Sequence, residues 1–314
     1  MKYAAVIAAA LLAACAGASP PATPPAAPSA TASWMSPGAS SAKALLYVSD
    51  AGTFRVAVYS FPSLELTGTL TGFNRPQGEC TDAAGNVWIA NTSGLDVREY
   101  AHAGTNAIAD LADPTGYPVG CAVNPATGDL AVANVADLSG NGGVLVYKRA
   151  RGTPRTYSNA AVKACYFAAY DAKGNLYVSA TGAGGAYTLA TLTSGGHSLS
   201  RLTVRGGTIH FPGTVAWDGS SLVLGDQECN GNASSCLYRA SVSGSGASIT
   251  AKIPLNGSCD VAQAWIGKGQ IAGADYNSCG GRSSVGLWPY PAGGDPTKRV
   301  TGLQTPVGAT VSLK

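Results

Sequence analysis

Charge is scarce in this chain. Only 12% of its 314 residues are Asp, Glu, Lys or Arg, about half the share usual in soluble domains. Coiled coils and helical bundles rest on charged flanks and strong helix formers, and highly charged disordered chains rest on charge itself, so the shortage argues against all three. Histidine is scarcer: His102, His197 and His210 are the whole supply, which narrows acid–base and imidazole–metal chemistry to a few places. The net charge of +3 lacks the concentrated basic stripe that nucleic-acid binding requires. Glycine (41) and proline (18) instead punctuate an otherwise apolar sequence, at a length that suits one large domain.

The first 43 residues read as an address and a tether. After Lys2 an uncharged apolar run from Ala4 to Ala14 has the length of a secretion signal's core and falls short of the roughly 20 residues that span a bilayer. It ends Leu12-Ala13-Ala14-Cys15, which resembles the lipobox of bacterial lipoproteins. That resemblance implies lipidation of Cys15, cleavage before it, and a durable anchor from several acyl chains on the cell envelope. Ordinary cleavage after Ala16-Gly17-Ala18 is the alternative, and it leaves a freely secreted protein. From Ala16 to about Ala42 the chain is Ala, Pro, Ser and Thr without charge, interrupted by Trp34 and Met35. This composition predicts an extended, disordered spacer over 16–43.

From residue 44 onward one phrase recurs. It starts at Pro-x-Gly, runs through a small-residue strand to an Asp/Asn turn, and continues as an aromatic-rich strand ending in Asp or Asn. The clearest copies are 76–91 and 118–134; weaker ones start at 165, 212, 259 and 306, so the spacings are 42, 47, 47, 47 and 47. Even spacing of this length suits a blade of four strands. Asp82-Ala83-Ala84-Gly85-Asn86 and Asp171-Ala172-Lys173-Gly174-Asn175 put glycine where a tight hairpin needs positive φ. The last copy has one strand, while residues 44–73 supply three with no Pro-x-Gly before them. Together they make one blade, with the C-terminal strand innermost, and the expectation is an all-β, six-bladed β-propeller over 44–314 with no open edge.

At these residues the chain resembles the NHL-type six-bladed propellers and the related gluconolactonase-like and streptogramin-lyase-like propellers. The resemblance covers about 44–314 and implies fold far more than function, because propellers host enzymes and binders alike.

Secretion favours disulfides among the seven cysteines that remain after Cys15. Cys229 and Cys236 bracket one loop, and Cys259 and Cys279 belong to one rim. Cys80 and Cys121 stand near the starts of adjacent first strands, leaving Cys165 alone; a Cys121–Cys165 pair with Cys80 free is the alternative. No Cys-x-x-Cys or well-spaced histidine supports zinc.

Chemistry in such rings gathers at the mouth of the central channel, where the innermost strands begin. The gluconolactonase-like resemblance implies a divalent metal on acidic and amide side chains there, several from the middle of Pro-x-Gly. Taken one residue after each repeat start, that position holds Gln77, Val119, Tyr166, Gly213, Asp260 and Val307. One amide and one carboxylate do not make the multi-oxygen cage that a hard cation needs. The predicted ligand rim is Gln77, Glu79, Tyr117, Tyr166, His210 and Asp260, with no resident cofactor. Gly196-His197-Ser198-Leu199-Ser200 lacks the closing glycine and the helix of a nucleophile elbow. The basic run Lys148–Arg155 reads as a solvated hairpin tip, with contact to anionic envelope polymers or lipid head groups left open. The recurring strand-end residues Asp50, Asn91, Asn134, Asp226 and Asp275 read as acceptors for backbone N–H groups of the following loop. The sequence thus points to a monomeric, lipid-anchored binding or scaffolding module for a protein, glycan or small molecule. A metal-assisted lactonase- or lyase-like enzyme built on Glu79, His210 and Asp260 is the second reading, and a purely structural envelope protein the third.

Overall fold

The computed structural model describes residues 32–137, 141–230, 234–277 and 283–314. The proposed signal, Cys15 and most of the spacer lie outside the described residues. Structure begins earlier than the composition suggested. Trp34–Met35 forms a short strand along the outer strand Leu66–Leu70, pairing Trp34 with Thr69 and Met35 with Gly68. Met35 packs against the core beside Tyr47 and Val56, so an apolar pair inside a polar spacer marked a docking point.

The strands form antiparallel meanders. The first sheet runs Trp34–Met35, Leu66–Leu70, Arg55–Ser60, Ala44–Asp50 and Pro306–Leu313 in spatial order. The C-terminal strand is therefore innermost, paired with Ala44–Asp50 from Ala44↔Leu313 to Asp50↔Pro306. The second sheet (Pro76–Thr81 to Ala107–Ala112), the third (Gly116–Val123 to Arg155–Tyr157) and the last (Val261–Gly267 to Lys298–Thr301) each have four strands. Between the third and the last lies one eight-stranded sheet. It consists of two four-stranded meanders, 164–205 and 212–255, whose outer strands Ser200–Arg205 and Gly246–Leu255 pair in parallel over Thr203↔Gly246 to Arg205↔Ser248.

The innermost strands follow one another in a closed circuit. Pro76–Thr81 lies against Gly116–Val123, then come Ala164–Tyr170, Pro212–Trp217, Val261–Gly267 and Pro306–Leu313, which returns to Pro76–Thr81. Their spacing explains the glycine of Pro-x-Gly. A Cβ on Gly78 would collide with Val119 O, one on Gly120 with Tyr166 O, and one on Gly308 with Gln77 O. Only glycine lets these backbones approach so closely. The hairpin glycines Gly85 and Gly174 have φ of +83° and +79°, as the turn chemistry requires.

Burial grades outward. Second strands such as Val87–Asn91 are buried on both faces, hence their continuous apolar runs, whereas the outer strand Ala107–Ala112 is half exposed. The core lies between sheets. Leu45, Tyr47 and Val56 of the first sheet meet Val87 and Ile89 of the second, and Leu46 and Val48 meet Ala272, Ala274 and Val285 of the last.

Two disulfides are present among the described residues. Cys80–Cys121 staples the second sheet to the third, and Cys229–Cys236 closes a local loop. Cys165 is buried and free, which settles the alternative pairing. Cys259 is 2% exposed; its expected partner Cys279 lies outside the described residues.

Candidate functional site

Four of the second strands end in a carboxylate or amide (Asp50, Asn91, Asp226 and Asp275) that fastens the start of an innermost strand. Asp50 accepts from the backbone N–H groups of Gln304 and Thr305. Asn91 accepts from Asn74 N, and Asp275 from Asp260 N. The expectation of loop acceptors holds for Gly52 N on Asp50 and Glu228 N on Asp226. The segment entering the innermost strand is nevertheless the commoner partner. A distant segment of chain supplies those donors, so a local reading missed them. Asn134 departs from the pattern: its Nδ2 donates to the Thr115 hydroxyl.

Asp226 carries this role furthest. Its Oδ1 accepts from Phe211 N at 3.1 Å, and its Oδ2 accepts from His210 N at 3.0 Å and from the imidazole Nδ1 at 2.9 Å. The carboxylate is wholly buried while the imidazole is 46% exposed. An Nδ1–H donated to a carboxylate leaves Nε2 as the acceptor facing outward. The group that orients His210 is thus a residue whose sequence pattern looked purely structural.

Around this pair lie groups from two neighbouring segments. Glu228 follows Asp226 by two residues and Asn277 follows Asp275 by two, a shared register not recognised in the sequence. Asn277 Nδ2 donates to Asp260 Oδ2 at 2.6 Å. Burial raises the Glu228 carboxyl above the usual carboxylate range, and the nearby charges of Asp260 and Asp226 add to it. Burial likewise raises Asp260, with Asn277 opposing and Asp275 adding. The Tyr276 hydroxyl is held protonated by burial and by the fields of Asp260, Glu228 and Asp275. Tyr166 stands edge-on to Phe211 at 5.6 Å between ring centres. The mouth therefore gathers Tyr166, His210, Glu228, Asp260, Tyr276 and Asn277, an electronegative and aromatic set.

Gln77 and Tyr117 are half-buried in their strands and make no side-chain hydrogen bond to this group among the described residues. Glu79 is 1% exposed, inside the ring wall. The Ser49 hydroxyl donates to its Oε1 at 2.6 Å, while Oε2 makes no hydrogen bond among the described residues. Its backbone is clasped by Gln263, whose Oε1 accepts from Glu79 N and Ala309 N and whose Nε2 donates to Glu79 O. Burial pushes the Glu79 carboxyl up to about 8, against the opposing pull of Ser49 and the Thr310 amide. Glu79 is thus a protonated clasp at neutral pH and makes no pair with His210.

Asp226, Cys229 and Cys236 come close enough to hold a metal ion. The Cys229–Cys236 bond consumes both thiols, so this group offers one ligand and not a site.

No protein-family model matches the chain, and no curated protein matches it. Solved structures do. A chain of a nidogen/laminin complex superposes with a TM-score of 0.68 at 13% identity, covering 86% of this chain and 98% of that one. A protein of unknown function from Bacteroides caccae gives 0.62 at 12% identity, covering 87% and 100%. At such identities the likeness concerns fold alone. The class is a β-propeller: an all-β ring of meanders with polar loops gathered where its innermost strands begin.

Proposed function

We propose that the chain is a six-bladed, NHL-like propeller, tethered to the cell envelope through lipid on Cys15 and working there as a binding module. Six blades follow if the eight-stranded sheet is counted as its two meanders, one for each strand of the inner circuit. The observation that carries the binding reading is the composition of the mouth. Glu228, Asp260 and Asn277 converge beside Tyr166 and Tyr276, and among the described residues no Ser or Cys is bonded to His210. Burial and the Asp260 charge raise Glu228, and burial and the Asp275 charge raise Asp260, so this crowded negative mouth suits a donor-rich, cationic ligand. The test is calorimetric titration of the full chain with spermidine as probe. Saturable binding that Asp260→Asn and Glu228→Gln each weaken supports the reading; equal binding by both variants sinks it. For the anchor, Cys15→Ser should move the protein from the membrane fraction to the soluble fraction.

A second reading rests on the His210–Asp226 pair. A carboxylate-oriented imidazole with a free Nε2 is an acid–base group, and Glu228 and Asp260 are oxygen ligands that a divalent cation would accept. Turnover of lactone substrates, lost in His210→Ala and dependent on added divalent metal, would select this enzyme over the binder.

A further inference from the structure

The Asp-x-x-Gly-Asn hairpins at 82–86 and 171–175 occupy corresponding places in their meanders, and each borders a cleft toward the next meander. Strand register fixes the correspondence. Trp88 pairs with Glu99 as Tyr177 pairs with Thr191, and Val123 pairs with Leu130 as Trp217 pairs with Leu222. Leu130 pairs in turn with Tyr147 as Leu222 pairs with Ala240. Two and four residues further on, Arg149 and Arg151 stand where the sister copy has Val242 and Gly244.

The two clefts therefore differ by substitution at matched positions. The one beside Asp171, about 400 Å³, presents Thr191, Val242 and Gly244. The one beside Asp82, about 600 Å³, presents Glu99, Arg149 and Arg151. Both volumes lie in the range of small-molecule sites. In the larger cleft the acidic wall is tied in place: Asn86 Nδ2 donates to Asp82 Oδ2 at 2.9 Å and to Glu99 Oε1 at 3.0 Å. The basic wall is fixed at its backbone, where Arg149 N donates to Asp129 Oδ1 at 2.8 Å. Arg149 and Ala150 both hold φ near +50°, uncommon for residues with a Cβ. Neither guanidinium has a carboxylate partner among the described residues. Between the walls lie the apolar Trp88, Ala109 and Val123.

A polyanion entering this cleft meets Asp82 and Glu99, and a polycation meets Arg149 and Arg151. A ligand with one charge of each sign satisfies both walls. We propose that this cleft, on the opposite ends of the strands from the channel mouth, binds a small zwitterion: an amino acid or short peptide with free termini. Its ammonium lies toward Glu99 and Asp82, and its carboxylate toward Arg149 and Arg151.

The experiment is an NMR titration of the full chain with Ala-Ala, N-acetyl-Ala-Ala and Ala-Ala-amide, repeated with inorganic phosphate. Ala-Ala should bind saturably, and blocking either end should weaken it roughly ten- to a hundredfold, the range of a charge-assisted hydrogen bond. In Glu99→Gln the acetyl penalty should shrink while the amide penalty stays; in Arg149→Gln with Arg151→Gln the amide penalty should vanish while the acetyl penalty stays. These side chains are half-buried or exposed, and matching amide spectra away from the cleft verify that each variant is folded. Capped peptides binding as well as Ala-Ala, no saturation below ~10 mM, or phosphate binding that ignores Glu99→Gln would each overturn the proposal.

Discussion

Glu79→Gln tests whether a buried, uncompensated carboxyl sits in the ring wall. In the folded chain the Glu79 carboxyl titrates near 8, against an ordinary value of 4.5. Unfolded chains release this proton from pH 4.5 upward, while folded chains keep it until about pH 8. Across that window the folded state binds more protons, so stability falls as pH rises and levels off above pH 8. Each unit of separation is worth about 1.4 kcal/mol, so Glu79 should cost on the order of 5 kcal/mol at pH 9 relative to pH 4. Glutamine keeps an oxygen for the Ser49 hydroxyl and removes the titration. The assay is urea unfolding of both proteins from pH 4 to 9, followed by tryptophan fluorescence. The stability gain of Glu79→Gln should grow steadily from pH 4.5 to 8 and then flatten. Parallel profiles for the two proteins would refute the reasoning, because they would mean that Glu79 titrates alike in folded and unfolded chains.

Three further outcomes are expected. Replacing Cys80 and Cys121 together by alanine reopens a 41-residue separation and should lower stability by about 4 kcal/mol on chain-entropy grounds, read from the urea midpoint under non-reducing conditions. Cys165 is buried, and burial pushes its thiol up to about 12, so a thiol reagent at pH 8 should leave it unmodified until denaturant is added. Deleting Thr305–Lys314 removes the strand paired with Ala44–Asp50 and should abolish cooperative unfolding; an unchanged sharp transition would contradict the closure.

The repeat was legible because its signals are local. Positive-φ glycines, short aromatic strands and Asx ends recur at fixed spacing, and each has its own turn or pairing chemistry. The innermost place of Pro306–Leu313 followed from the mismatch between an unpaired final strand and an incomplete first blade. The Cys229–Cys236 pair followed from its place in the repeat, whereas the choice between Cys80–Cys121 and Cys121–Cys165 needed the structure, because both pairs join adjacent innermost strands. The mouth was only half legible. Tyr166, His210 and Asp260 were singled out because they lie beside the starts of repeat copies, whereas Glu228 and Asn277 stand two residues past the strand-end Asp226 and Asp275, a register outside the recurring phrase. Glu79 misled because a carboxylate at a strand start reads as exposed. Its burial depends on Ser49 and Gln263, 30 and 184 residues away. The parallel bridge between Ser200–Arg205 and Gly246–Leu255 was equally hidden, since edge pairing between meanders leaves no periodic trace.

Ring closure also sets an order of events. Ala44–Asp50 leaves the ribosome long before Pro306–Leu313, yet the two are direct neighbours in the first sheet. Until that partner arrives, the inner edge of Ala44–Asp50 offers unpaired backbone groups to any passing strand. A chain without its last strand cannot close the inner circuit. It is left with the kind of open strand edge that invites aggregation.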